Sequence, residues 1–155
     1  MPKKLPINIR LFKTSHLPEL EAETIKLLIH FVTFAAKKLG ISEKPFQIRL
    51  LHAAPMEPIT TGAYQPGKSI ISVIVQNRHF IDYCRTIAHE MVHQKQDYQG
   101  RVGGPVPEIG GDIEDEANFM SGRIVKEFIK KQLSDKKKSI RFGNILIIGL
   151  RIYLC

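Results

Sequence analysis

The sequence predicts an α+β domain with an N-terminal helix, a short three-stranded sheet and two later helices. Three observations carry that prediction. Apolar residues recur at helical spacing from Leu20 to Leu39, short β-branched runs follow between Pro and Gly punctuation, and helical spacing returns at Phe80 and again after Asp112.

Residues 5–12 alternate loosely and suit a short strand. Thr14 and Ser15 offer N-caps, Pro18 suits a first turn, and Leu27, Leu28, Phe31, Phe34 and Ala35 continue an apolar stripe that Gly40 closes. The spacing predicts a helix over 17–39, with His30 beside the stripe as an ordinary, partly buried histidine. Residues 46–53 read as a strand broken by Pro55 and Pro58, and 61–64 as a short second one. Gln65-Pro66-Gly67-Lys68 has Pro and Gly where a type II turn needs them. Ser69 to Gln76, with Ile70, Ile71, Val73, Ile74 and Val75, is the clearest strand. Ile81, Cys84, Ile87, Ala88, Met91 and Val92 then mark a helix that Gly100 ends. After a Gly- and Pro-rich loop from Arg101 to Gly111, Asp112 is a plausible N-cap. The last helix carries Ile113, Ala117, Met120, Ile124 and Phe128 on one side and runs to about Leu133.

At 155 residues the chain has the length of one domain, assigned to 1–135, followed by a basic and apolar tail over 136–155. For Ile140 to Cys155 an extra strand, a docking segment for a partner and a weak membrane-surface anchor are all open, and the strand is favoured. Hydrophobic content of 43% against 25% charged residues excludes a disordered chain. Cys84 and Cys155 do not make a disulfide framework and read as free thiols of a reducing compartment. Met1 to Phe12 has no apolar core of a secretory signal, and no run reaches the roughly 18 apolar residues of a membrane span, so the expected location is cytoplasmic. The net charge of +8 permits contact with nucleic acid or acidic partners without selecting one. No helix-turn-helix, RRM or zinc-finger pattern supports nucleic acid specifically. The lysines from Lys126 to Lys138 read as a solvated helix end.

His89-Glu90-Met91-Val92-His93 is an HExxH pattern inside a predicted helix. Residues at i and i+4 stand one turn apart on one face, so the two imidazoles converge on one ion. Glu90 projects beside that ion, where it serves as a base toward water rather than as a ligand. Zinc suits such ligands, and a catalytic site needs a third protein donor. The other histidines, His16, His30, His52 and His79, all lie upstream. Gln96 and Gln99 stand where a metzincin has Gly and His, and no downstream histidine exists for a SprT-type site. The candidates are therefore the carboxylates Glu108, Asp112, Glu114, Asp115 and Glu116. Tyr64, His79, Arg85 and Tyr98 are candidates to stabilise an oxyanion, and spacing singles out none of them.

Glu114-Asp115-Glu116-Ala117-Asn118 resembles the Glu-x-x-Ala-Asn/Asp segment of gluzincins, the thermolysin-like clan, and in particular of the ImmA/IrrE family of small intracellular metallopeptidases. The resemblance implies a zincin-like fold, Zn2+ as cofactor, Glu114 as the third ligand and Asn118 as the residue that orients His89; Asp115 and Glu116 read as surface charges, with Glu116 the reserve ligand. Glu114 and Asn118 share a helix face, and a ligating histidine needs its other nitrogen held. The family often has Gly before the second histidine and Phe-Ala after the Asn, where this chain has Val92 and Phe119-Met120-Ser121. The resemblance also implies an edge strand along the cleft, assigned to 69–76, for a peptide to pair with. The expected function is a metalloendopeptidase acting on a protein or peptide, with Glu90 catalytic. The alternatives are a non-catalytic, metal-stabilised module that contacts nucleic acid or a protein partner, and a peptidase of DNA-bound proteins.

Overall fold

The computed structural model describes residues 9–13, 22–51, 61–102 and 111–138. The elements in order are β1 (Ile9–Lys13), α1 (Ala22–Leu39), β2 (Phe46–Leu51), β3 (Gly62–Gln65), β4 (Ile70–Ile74), α2 (Phe80–Tyr98) and α3 (Asp112–Lys138). The mixed α+β class follows directly. The three strands assigned to the sheet are β2, β3 and β4, and the alternating segment near the N-terminus joins them as β1, in the order β1-β2-β4-β3. β1, β2 and β4 are parallel, and β3 is the antiparallel edge.

This order corrects the edge-strand assignment. β4 lies inside the sheet between β2 and β3, so the strand beside the helices' active face is β3. The reason is local. Pro66 and Gly67 form the predicted turn, with Lys68 N–H on Gln65 O and Gly67 at φ +75°, and fold β3 back onto the outside of β4. A β-branched run such as β4 is what a strand paired on both sides requires.

Alternate residues of the sheet meet the helices. Phe46, Ile48 and Leu50 of β2, and Ile71 and Val73 of β4, are buried, while Arg49 is exposed. On α2, Cys84, Ile87, Ala88, Met91 and Val92 are fully buried, the predicted stripe without Ile81, which is half-buried. Burial pushes the Cys84 thiol well above its ordinary pKa, leaving it a packing residue. On α3, Ala117, Ile124, Val125 and Phe128 face inward. Phe128 meets Phe31 edge-to-face with ring centroids 5.1 Å apart. His30 lies edge-on to the same ring and is exposed, not partly buried as the stripe suggested.

Both α1 and α2 end in the same device. Gly40 and Gly100 have φ near +70°, and the pairs Ile41 N–H to Ala36 O and Arg101 N–H to Gln96 O are the long bonds of Schellman caps. The second cap carries the chain from the end of α2 into Arg101. The first helical bond of α3 runs from Asp115 N–H to Gly111 O, so Asp112 is the first helical residue rather than the cap. α3 continues past Leu133 to Lys138, across the expected domain boundary at 135. The remaining tail assignments, 139–155, lie outside the described residues, as do 14–21, His16, His52 and Glu108. No described helix is long and apolar enough to cross a membrane.

Candidate metal centre

α2 and α3 form the largest helix pair of the fold, and the site lies where their polar faces meet. His89 and His93 stand one turn apart on α2, and Glu114 is in the first turn of α3. Glu114 Oε2 is 3.3 Å from His89 Nε2, its Oε1 is 3.1 Å from His93 Nε2, and the two ring nitrogens are 3.0 Å apart. One donor atom from each residue falls within 4.8 Å of the others, so the three form a group able to hold a metal ion. A tetrahedral ion with bonds of about 2.0–2.1 Å needs donors spaced by roughly 3.3 Å. The triangle observed is close to that size. Asp112, Asp115 and Glu116 do not join it.

The protonation pattern follows from hydrogen bonds. Gln96, fully buried, donates from Nε2 to Ile113 O at 3.0 Å and to Glu116 at 2.9 Å. That fixes which end of the amide is oxygen, and its Oε1 lies 2.8 Å from His93 Nδ1. His93 must therefore donate from Nδ1, and its Nε2 lone pair points at His89 and Glu114. Burial leads in lowering the His89 pKa, with the neighbouring His93 ring adding to it, which favours the neutral form that a ligand needs. Asn118 acts on His89 as a hydrogen-bonding partner that partly opposes this. Three bases so close need a shared cation, either a proton or a metal ion that satisfies all of them at once.

Glu116 has a different part from the reserve one. It receives Gln96 and a 2.7 Å ion pair from Arg101, and the Gln96 hydrogen bond leads in drawing its pKa down. The Schellman cap thus places Arg101, Arg101 holds Glu116, and Glu116 steadies the amide behind His93. In the sequence, Gln96 stands out only as a mismatch to the metzincin pattern. An amide three residues after a ligating histidine, on the same helix face, was the signal available.

Glu90 is buried beside this group and does not enter it. Burial pushes its pKa up to about 7, with nearby Glu114 adding to the rise and His93 and the Tyr64 backbone N–H opposing it. That backbone group comes from β3. Gly62, at the start of β3, packs directly against α2. A Cβ there would overlap Thr86 Cγ2 and stand 3.3 Å from Glu90 Oε1. The absence of a side chain at residue 62 lets the strand and the carboxylate coexist.

A cleft of about 620 Å³ opens on this side, with His89, Glu90 and Asn118 in its wall. Of the four oxyanion candidates only Arg85 lines it. Tyr64 Oη donates to Asp97 at 2.6 Å, Tyr98 Oη accepts from Gln94 at 2.7 Å, and His79 is the exposed N-cap of α2. The two tyrosines instead join the β3–β4 hairpin to the end of α2, helped by Gly67 N–H on Asp97. Comparison with family models, curated proteins and solved structures gave no match.

Proposed function

We propose that this chain is a zinc-dependent peptidase of the gluzincin kind, with His89, His93 and Glu114 as ligands and Glu90 as its catalytic acid and base. The observation that carries this reading is a buried carboxylate placed beside the three-donor group at the wall of a cleft. A purely structural site has no use for such a group. Two imidazoles and one carboxylate match the donor set of hydrolytic zinc sites, and they suit zinc better than a hard oxygen-seeking ion.

Zinc, when bound, would polarise a carbonyl and ease deprotonation of water. The rest is the work of this chain's residues. Glu90, with a pKa near 7, accepts a proton from the attacking water and returns it to the departing amine. Tyr64 N–H orients its carboxylate, and burial raises its affinity for the proton it must take up. Gln96 holds His93 in one tautomer, and Asn118 holds His89. A peptide would lie along β3, which has no strand on its outer side among the described residues.

Glu90→Gln tests the reading. It preserves size and the hydrogen bond but removes the base. The variant is expected to fold, to retain zinc by elemental analysis, and to lose peptide hydrolysis by about 10²–10⁴-fold. If it hydrolyses peptides like the wild type, or if neither protein hydrolyses any, the non-catalytic binding module takes the peptidase's place.

A further inference from the structure

Asp82, Arg85, Thr86 and His89 form one stripe along α2, spaced by three and four residues, and all four line the cleft. Arg85 lies one turn before His89, roughly 6 Å along the axis. The opposite wall, from α3, is Asn118 and Ser121. Among the described residues, every side chain lining the cleft is polar or charged. A cleft so built offers little to an apolar side chain and much to a charged one.

Among the described residues two arginines reach it, and they differ in what they have left to give. Arg78 is committed: Nη1 donates to Ile74 O at 2.8 Å, and Nη2 to Asp82 O at 3.1 Å and Thr86 Oγ1 at 2.8 Å. Its guanidinium ties β4 to the first turn of α2. Arg85 has no hydrogen bond or ion pair among the described residues. Its side chain reaches toward α3, with Nη2 3.8 Å from where a Cβ on Gly122 would stand. Asp82, three residues earlier, is exposed and forms no ion pair with it.

We propose that Arg85 makes the cleft selective for a substrate carrying a carboxylate beside the bond to be cut, such as an Asp or Glu side chain. The planar guanidinium, its donors unspent among the described residues and one helical turn from His89, suits two-point recognition of a carboxylate. This inference rests on the peptidase reading for its substrate, and the test separates the two.

The probes are the monohydroxamates of succinic and glutaric acid, compared with analogues whose free carboxylate is an amide. The hydroxamate anchors at the metal, and the other end samples the cleft. Binding is measured by calorimetry on the zinc-loaded protein. The acids are expected to bind about tenfold or more tighter than the amides, the size of a charge-assisted hydrogen bond. That preference should vanish in Arg85→Gln and invert in Arg85→Glu, with amide binding unchanged in both. If both kinds bind the wild type equally, the Arg85 assignment is overturned while the metal centre stands. If the preference survives Arg85→Gln, Arg85 is not the selecting residue and the assignment is equally overturned. If no hydroxamate binds, the metal reading fails and takes the inference with it.

Discussion

Gln96 carries two donors on its amide nitrogen and an acceptor oxygen, and in the fold every one of these faces a partner. An amide so restrained presents only its oxygen to His93, and the ring answers with Nδ1–H. Replacing Gln96 by Ala frees the tautomer and the ring's rotation, so metal affinity should fall by about 10–100-fold, the usual cost of losing a ligand's supporting partner. Competition titration with a zinc chelator measures this. Glu116→Ala should cost less, because Ile113 O still holds the amide. Asn118→Ala tests the equivalent support of His89, which partly favours its protonated ring. Wild-type affinity in Gln96→Ala would mean that the helix alone positions His93.

At the scale of elements, the contact of β3 with α2 decides where Glu90 sits. Gly62→Ala would drive a methyl into Thr86 and against Glu90. The strand must lift or the carboxylate must turn. Peptide hydrolysis should fall at least about tenfold, because general acid–base catalysis depends on hydrogen-bond reach, while zinc content stays complete. Intact turnover in Gly62→Ala would show that β3 does not position the base. This contact also marks the limit of what the sequence made legible. The helices were readable because their apolar stripes and closing glycines are local facts, and α2 and its HExxH pair were readable together. The partnership of Glu114 with the two histidines came from a short resemblance rather than from periodicity. The edge position of β3 was hidden, because strand order depends on which runs pair and not on how β-branched each run is. Gln96 was only partly legible for a related reason: its spacing from His93 is local, but Ile113 O and Glu116, both from α3, are brought to it by the fold.

Across the whole molecule, the three candidate metal donors come from two helices, but the core does not depend on them. Phe31, Phe46, Phe128 and the apolar stripes of α2 and α3 are buried independently of the His89, His93 and Glu114 group. A domain of this size buries enough apolar surface to fold without a metal staple. Metal bound across α2 and α3 should therefore add stability rather than create the fold. With free zinc at about 100 times its dissociation constant, the gain is about 2.7 kcal/mol, because the ion binds the folded chain and not the unfolded one. For a chain of this length that corresponds to a midpoint higher by about 10 °C. Thermal unfolding followed by circular dichroism, with zinc and with a chelator, measures the difference. The chelated protein should keep its helical spectrum and a cooperative transition, and His89→Ala should lose the zinc-dependent rise. A catalytic metal in a self-sufficient core predicts that pattern. Collapse of the fold on chelation would mark the ion as a structural staple, and the argument that places the core outside the metal group would then be wrong.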